Sequence, residues 1–278
     1  TASSVYFAGY KPVPVEFGED LLIDPDSIEK SITSKTKAIL VTHLNGRTCN
    51  MDKILKICNK YKLLLFEDAA QALGSKFKGK HAGTFGLASA ISLYPAKILG
   101  CFGDGGLILT NNKNLYLKLH KIRSHGINEK TKNIDYWGFN SRLDNIQAAF
   151  LSYFFKNHDK NIFKRRELAK VYHQELSNLK KIILPPLFND KVNYDIFQNY
   201  EIICEKRNEL KSYLKKKGVG TLIQWSGIRT NNLDLPNISK KKLKSDNNFK
   251  KLLLLPMNVS LNKKNIKDVC KEIKKFYS

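Results

Sequence analysis

LLLFEDAAQALGS, at residues 63–75, is the most informative part of this 278-residue sequence. A short apolar run there ends in an acid pair, so that Asp68 follows the run directly and Gln71 comes three residues later. A run of this length is typical of a strand buried in a parallel sheet. Open α/β sheets bind ligands outside the carboxyl ends of such strands, which would bring Asp68 and Gln71 to one ligand. Taken alone, the pattern fits a helix N-cap at Asp68 equally well.

The residues before this stretch predict a strand–helix–strand unit. Residues 37–44 (KAILVTHL) have the composition of a buried strand, and apolar residues from Met51 to Tyr61 then recur at the spacing of one helix face. Together with the apolar run at residues 62–66, they imply a parallel sheet that is covered by helices. Further strands are expected at residues 12–17, 88–94 and 106–110.

The pattern changes at residue 141. An apolar stripe that includes Leu143, Phe150 and Phe154 predicts one long helix, which runs toward the charged segment at residues 164–167. Beyond it we expect a smaller α/β unit with a strand at residues 200–204, a helix that ends at Gly218 and a final helix. The predicted division is a large domain at residues 1–158 and a small domain at residues 159–278.

A second informative stretch is SAISLYPAKILGCFGDGGLILT, at residues 89–110. Pro95 blocks continuation of the strand, and Lys97 follows on a loop before a glycine-rich turn. A lysine in a packed loop with apolar neighbours loses its proton more readily than a surface lysine, which a Schiff-base nucleophile requires. The chain has 41 lysines, so only these neighbours distinguish Lys97 from the others.

Five motifs give the sequence a resemblance to the DegT/DnrJ/StrS sugar aminotransferases, and they occur in the order and spacing of that family. They are EDAAQALGS at residues 67–75, Ser-x-x-x-x-Lys at 92–97, GDGG at 103–106, RSHG at 123–126 and GFNSRLDNIQAA at 138–149. The resemblance covers essentially the whole chain and is strongest up to Ala149. It implies the α/β fold of PLP-dependent transferases related to aspartate aminotransferase, with a large mixed-sheet domain and a smaller C-terminal α/β domain.

The resemblance also implies a role for each matching residue. Lys97 matches the catalytic lysine, which holds pyridoxal 5′-phosphate (PLP) as a Schiff base and moves the substrate proton. Asp68 matches the partner of the pyridinium nitrogen, and Gln71 the residue against the 3-oxygen of the ring. Ser92 matches a ligand of the cofactor phosphate. Asn140 matches a residue that reaches the phosphate in the neighbouring subunit, which implies a homodimer.

The implied reaction is amination of a nucleotide-linked keto-deoxysugar for polysaccharide biosynthesis, with glutamate as the amino donor. The sequence departs from the family pattern in two places. Family members have a segment before the position of Thr1, which usually helps to bind PLP. Many of them also have a His-Tyr pair near the substrate. Here the second region is IQWSGIRTNN at residues 223–232, which leaves the sugar open. A relative that keeps the fold without activity is an alternative. Lys97 argues against the sugar dehydratases, which have histidine at that position.

A nucleotide hydrolase is the other enzyme class that a sequence motif suggests. Residues 74–81, GSKFKGKH, almost form a P-loop, but His81 stands where the magnesium-binding serine or threonine belongs.

The charge and cysteine content point to a soluble cytoplasmic protein with small-molecule substrates. The net charge is +23, but only seven basic residues are arginines and the lysines cover nearly every predicted helix, with no aromatic platform for nucleic-acid bases. No apolar run is long enough to span a membrane, and no secretory signal is present. The five scattered cysteines predict neither disulfides nor a zinc site, and the six histidines lack metal-binding spacing.

Overall fold

The computed structural model describes residues 1–186, 189, 191–233, 238–239 and 242–278. Its strands are β1 (Ala38–Thr42), β2 (Leu64–Asp68), β3 (Lys76–Phe77), β4 (Lys80–His81), β5 (Ala88–Ser92), β6 (Gly106–Leu109), β7 (Ile182–Ile183), β8 (Asn193–Tyr194), β9 (Tyr200–Cys204) and β10 (Leu252–Leu255). Its α-helices are α1 (Ala2–Phe7), α2 (Pro25–Ser31), α3 (Met51–Tyr61), α4 (Lys113–Ile122), α5 (Asn145–Phe155), α6 (His158–Leu176), α7 (Arg207–Lys216), α8 (Asp246–Phe249) and α9 (Lys263–Tyr277).

The main sheet has the strand order β1-β2-β5-β6, in which β1, β2 and β5 are parallel and β6 is antiparallel. The crossover from β1 to β2 is α3, as the sequence predicts. The side chain of Asn50 caps this helix by accepting from the Lys53 amide, and Lys62 ends it in a left-handed conformation (φ 52°). This mixed sheet agrees with the one that the family resemblance implies.

A hydrophobic core lies between α3 and the first strands of this sheet. Buried side chains of α3 pack against those of β1 and β2, and the core includes Val41, Met51, Ile54, Cys58 and Leu65. The apolar spacing of residues 51–61 therefore has the predicted cause, because one face of α3 covers the sheet.

The C-terminal part has its own sheet, with the order β10-β9-β7 and antiparallel pairing. Its core brings residues of β9 and β10 together with α6, α7 and α9, and stacked Tyr172 and Tyr200 are both fully buried within it. A third sheet, β4-β3-β8, pairs Lys76 with Tyr194 and so joins the two halves of the chain. The division at residue 158 remains a prediction.

Two sequence predictions about secondary structure are wrong. Residues 12–17 form no strand, and only Phe17 makes an isolated bridge, to Ile23. Pro12 and Pro14 remove amide donors that a ladder would need. The long helix after residue 141 is divided into α5 and α6, because Asn157 leaves the helical conformation (φ −104°, ψ 6°).

None of the helices that the structure describes is both long enough and apolar enough to cross a membrane.

Candidate functional site

The acid pair of β2 is divided between the two faces of the sheet. Side chains alternate along a strand, so Leu65 and Glu67 are buried while Phe66 and Asp68 are partly exposed. The two neighbouring carboxylates therefore have different surroundings.

Glu67 lies in the interior and anchors the backbone that follows β4. One carboxylate oxygen accepts hydrogen bonds from the amides of Phe85 (2.7 Å) and Gly86 (2.6 Å). The other accepts from the Gly83 amide (2.7 Å) and from Nε2 of His43 (2.9 Å). Burial acts to raise the pKa of Glu67, but the hydrogen bonds from His43 and the glycine amides outweigh it and lower the pKa. Glu67 is therefore a charged structural residue.

Asp68 has the exposed carboxylate at the end of β2. Its Oδ1 accepts from the Ala70 amide (3.1 Å), and its Oδ2 accepts from the Thr1 hydroxyl (2.5 Å), which also contacts the hydroxyl of Thr42 (3.2 Å). Residues 69–74 form turns rather than a helix. The N-cap interpretation of Asp68 is therefore wrong, and its carboxylate belongs to the edge of the sheet.

Lys97 lies on the loop that follows β5. Its amide donates to the Tyr94 carbonyl (2.9 Å), and the loop then turns back at Gly100, where a Cβ would lie 2.7 Å from the same oxygen. Burial lowers the pKa of the Lys97 ammonium, and the Asp68 carboxylate opposes this shift. A lowered pKa for Lys97 agrees with the sequence prediction that this lysine loses its proton more readily than a surface lysine. Asp68 and Lys97 follow or end the neighbouring parallel strands β2 and β5, so both lie at the carboxyl end of this sheet.

Gln71 follows Asp68 on the same turn segment, and its amide group has a fixed orientation. Its Oε1 accepts from the backbone amide of Asn45 (2.7 Å) and from Nδ2 of Asn199 (3.5 Å). Because both donors are at the oxygen, the amide nitrogen points away from them. Gln71 therefore presents its donor group on the other side.

Ser92 is the last residue of β5, the strand next to β2. Asp68 pairs with Ala90 in the register of these strands, so Ser92 lies two residues farther along the neighbouring strand. Its hydroxyl accepts a hydrogen bond from the Tyr94 amide (3.2 Å). The carboxyl ends of β2 and β5 thus bring the Asp68 and Gln71 segment together with Ser92 and the Lys97 loop.

Asn140 lies elsewhere, on an exposed loop before α5. Its Oδ1 accepts from the guanidinium of Arg142 (2.6 Å), and its backbone forms a bridge with Ser124. The N-cap residue of α5 is Asp144. Capping of that helix therefore does not explain Asn140, whose side chain bonds to Arg142 and whose backbone pairs with the segment at Ser124.

The structure adds a buried polar cluster that the sequence analysis missed. Asn45 donates to Oε2 of Glu201 (2.8 Å) and accepts from the amide groups of Asn199 (3.0 Å) and Gln224 (2.9 Å). Burial raises the pKa of Glu201, and the hydrogen bonds from Asn45 and Gln224 oppose this shift. The cluster links the segment that orients Gln71 to the C-terminal part. No local motif indicates residues so far apart in sequence.

Gln198 is a further residue that the sequence analysis missed. Its side chain hydrogen-bonds to the backbone of Ala96 and Ile98, the two neighbours of Lys97. No motif around residue 198 pointed to this contact.

Lys97 also lines an open cavity of about 430 Å³, whose other polar residues are Asn157, Lys160 and Asn161. Two lysines and two amides suit an anionic ligand. A cavity of about 800 Å³ lies between β10 and α9, but its walls contain none of the five predicted site residues. Lys97 is the one predicted site residue on the wall of the smaller cavity, whose lining does not include Asp68, Gln71, Ser92 or Asn140.

The nucleotide-hydrolase alternative does not agree with the structure. Residues 76–81 form the antiparallel hairpin of β3 and β4, whereas a P-loop connects a strand to a helix. Within the described part of the chain, no group of three or more histidine, cysteine or acidic residues has the arrangement of a metal site.

Comparison with known proteins gives a match to the profile of the DegT/DnrJ/EryC1/StrS aminotransferase family over residues 1–274. A pleiotropic regulatory protein of Geobacillus stearothermophilus is 36% identical over 293 residues, covering 100% of this chain and 75% of that protein. The dTDP-3-amino-3,4,6-trideoxy-α-D-glucose transaminase of Streptomyces venezuelae is 37% identical over 223 residues (80% and 58%). The UDP-2-acetamido-2-deoxy-3-oxo-D-glucuronate aminotransferase of Pseudomonas aeruginosa is 34% identical over 272 residues (97% and 74%).

Solved structures superpose closely on this chain and confirm the predicted fold class. S. venezuelae DesV in complex with a ketimine intermediate superposes with a TM-score of 0.92 at 32% identity, covering 100% of this chain and 75% of that one. NtdA of Bacillus subtilis with bound cofactor PMP superposes with a TM-score of 0.85 at 31% identity (97% and 65%).

Proposed function

Because this chain belongs to the DegT/DnrJ/EryC1/StrS aminotransferase family, we propose that it aminates a nucleotide-linked keto sugar, with Lys97 as its catalytic lysine. The family model is that of PLP-dependent aminotransferases and two of the relatives are sugar-nucleotide aminotransferases, so the chain is of this enzyme class and its cofactor is PLP. The observation that carries the assignment of Lys97 is its place on a half-buried loop, with a lowered pKa and Asp68 as its electrostatic neighbour.

The side chains at the edge of β2 and β5 fit PLP. When bound, PLP supplies an aldehyde carbon that amines attack and a ring that withdraws electrons. Asp68 has a carboxylate that would accept a hydrogen bond from the protonated ring nitrogen. Gln71 presents an amide donor for the 3-oxygen, because Asn45 holds the oxygen of that amide. Ser92 has a hydroxyl that would bind the phosphate. These roles are proposals from the family motifs and the positions of the side chains.

Lys97 is proposed to bind the cofactor and then to move a proton. Its pKa is lowered by burial, so a larger fraction of the amine is neutral at a given pH than on the surface. A neutral amine is both a nucleophile and a base. The Asp68 carboxylate opposes this shift, because it stabilises the charged ammonium.

The substrate is proposed by analogy with the relatives. The names of two relatives specify a dTDP-linked and a UDP-linked sugar, so the nucleotide of this chain's own substrate stays open. The cavity beside Lys97 has Lys160 on its wall, and its charge suits a diphosphate or the carboxylates of glutamate, the proposed donor.

A homodimer with Asn140 donated across the interface is the proposed assembly. Large apolar side chains near Asn140 are exposed, including Trp137 (99%) and Phe139 (69%). Phe102 is 66% exposed and packs edge-on against Phe150 of α5 (ring centroids 4.9 Å apart). Apolar surface of this kind marks a protein interface. A second copy of the chain is the proposed partner, because the family resemblance matches Asn140 to a residue that reaches the cofactor phosphate of the neighbouring subunit.

The cytoplasm is the proposed location, and a large domain at residues 1–158 with a small domain at 159–278 is the proposed division. All five cysteines are free and buried, which is typical of proteins from a reducing compartment.

The experiment is to load the purified protein with PLP, reduce it with borohydride and locate the cofactor by peptide mass spectrometry. We expect the adduct on Lys97, and none in Lys97→Ala. The loaded protein is then assayed with glutamate and a panel of nucleotide-linked 3-keto and 4-keto deoxysugars. An adduct on a different lysine would refute the site assignment. Binding of PLP without amination of any sugar would instead favour a non-catalytic relative.

A further inference from the structure

Gln198 reaches from the segment between β8 and β9 to the loop that contains Lys97. Its Oε1 accepts a hydrogen bond from the Ile98 amide (3.0 Å), and its Nε2 donates to the Ala96 carbonyl (2.9 Å). These partners are the immediate neighbours of Lys97, so one side chain holds the backbone on both sides of it. Gln198 is itself buried.

The backbone of Gln198 is held in turn by a buried arginine of α6. One guanidinium nitrogen of Arg165 donates to the carbonyls of Phe197 (3.0 Å), Gln198 (3.0 Å) and Met257 (3.1 Å). Burial lowers the pKa of Arg165 to about 10. Phe197 also has a left-handed conformation (φ 51°), which a non-glycine residue keeps only when its surroundings hold it. Gln198 therefore extends from a rigid support.

We infer that Gln198 is a positioning residue, which fixes the Lys97 loop so that the lysine amine stays in its half-buried position. This inference rests on the proposed role of Lys97. Gln198 acts through the backbone of residues 96 and 98. It also couples the C-terminal part of the chain to the reacting amine.

The physical reason is the length of the lysine side chain. Four methylene groups allow the amine many positions, and a fixed backbone restricts their number. If the backbone is released, the loop relaxes toward solvent and the amine becomes hydrated. Proton transfer by the amine is sensitive to displacements of about 1 Å.

Gln147 provides a matched control. Its Oε1 accepts from the Phe102 amide (2.9 Å) and its Nε2 donates to the Phe102 carbonyl (3.0 Å), five residues beyond Lys97. Gln198→Met and Gln147→Met each remove two hydrogen bonds from one glutamine and nearly preserve its volume. They differ in whether the released backbone adjoins Lys97 and in burial, since Gln198 is buried and Gln147 is partly exposed.

The first measurement uses the cofactor-free protein, labelled at a series of pH values with an amine-directed reagent and analysed by mass spectrometry. The midpoint of Lys97 labelling reports its pKa, and the other lysines serve as internal references. In Gln198→Met we expect the midpoint to rise by at least about half a pH unit, because hydration favours the charged ammonium. In Gln147→Met we expect the wild-type midpoint.

The second measurement is the steady-state kinetics of the loaded protein. We expect Gln198→Met to lower kcat by at least about tenfold with KM changed by less than about threefold, since a displaced amine affects the reaction more than binding. Gln198→Asn, whose shorter side chain retains at most one of the two bonds, should give intermediate values. If circular dichroism shows that Gln198→Met does not fold, Gln198→Asn is used in its place.

A wild-type labelling midpoint and wild-type kcat in a folded Gln198 variant would overturn the inference. Equal shifts of the midpoint in the Gln198 and Gln147 variants would also overturn it, because the effect would then be general loosening. Failure of the proposed function has a different signature, namely a borohydride adduct that is not on Lys97.

Discussion

Replacing Glu67 with glutamine is expected to destabilise the fold strongly, whereas the corresponding change at the adjacent Asp68 is expected to be tolerated. Both residues are acids at the end of β2, but only Glu67 points into the interior, where its side chain is fully buried. The pair therefore tests whether the alternation along this strand separates a structural acid from a functional one.

The magnitude follows from the hydrogen bonds of Glu67. His43 accepts the Cys49 amide at Nδ1 (3.1 Å), so its ring proton is on Nε2 and is donated to Glu67. In Glu67→Gln, an amide nitrogen in place of Oε2 would face two donors, His43 and the Gly83 amide. A change of the His43 tautomer would relieve one conflict and leave the Cys49 amide without an acceptor. Two buried donors are then unsatisfied, at about 1–3 kcal/mol each, or about 2–6 kcal/mol together.

Flipping the new amide does not avoid this loss. The amide nitrogen would then face the backbone amides of Phe85 and Gly86, which donate to the other oxygen of Glu67. Two donors again lose their acceptor, so the expected range is unchanged.

The assay is urea unfolding of the cofactor-free protein, followed by circular dichroism and fluorescence, with Asp68→Asn as the control. Asp68 is partly exposed, and the side-chain oxygen that remains in Asp68→Asn can still accept from the Ala70 amide. The control should therefore change the free energy of unfolding by less than about 1 kcal/mol. The reasoning is refuted if Glu67→Gln costs less than about 1 kcal/mol, or if the control costs as much as Glu67→Gln.

The same residue gives a pH dependence with a defined sign. The folded pKa of Glu67 is lower than its ordinary value of 4.5. Its contribution to stability is therefore fully present above pH 4.5 and is lost as the pH falls through the lower, folded pKa. Wild-type protein should lose more stability than Glu67→Gln in this acid range. Parallel pH profiles of unfolding for the two proteins would contradict the assignment.

Two further predictions concern the proposed chemistry. Asp68→Asn should retain bound cofactor but lower kcat by more than about tenfold, or about 1.4 kcal/mol in the barrier, because an amide does not keep the ring nitrogen protonated; a smaller decrease in steady-state assays would argue against that role. Mixing inactive Lys97→Ala and Asn140→Ala subunits should restore part of the activity, because one site of a mixed dimer would carry both defects and the other neither. No recovery after demonstrated subunit exchange, with an inactive Asn140→Ala parent, would exclude donation across the interface.

The sequence was sufficient for the fold where local pattern and burial agree. The period of residues 51–61 predicts α3, and the apolar run before Glu67 predicts β2, because each element buries one face against the other. The strand expected at residues 12–17 does not form, because Pro12 and Pro14 lack the amide donors of a ladder. The apolar run through Phe150 and Phe154 is helical as predicted, but Ile146, Phe150 and Tyr153 on it are exposed. Apolar spacing predicts a helix face and does not identify the surface that covers it.

The candidate site was predictable only where its residues lie close together in sequence. Asp68 and Gln71 lie on one segment, Ser92 and Lys97 on the next, and both segments end neighbouring strands. The groups that orient them come from distant positions and have no motif of their own. A side-chain amide contacts whatever backbone the fold brings near, so nothing around residue 198 indicates a contact with residues 96 and 98.

Three of the groups that orient the site, Gln198, Asn199 and Glu201, lie on one short segment of the chain. Gln198 holds the Lys97 loop, the next residue Asn199 contacts Gln71, and Glu201 accepts from Asn45. A single segment of the C-terminal part therefore contacts the backbone on both sides of Lys97, and also Gln71 and the side chain of Asn45, whose backbone amide orients Gln71. A displacement of this segment would move both groups together, so the orientation of the C-terminal part should affect cofactor binding and proton transfer at the same time.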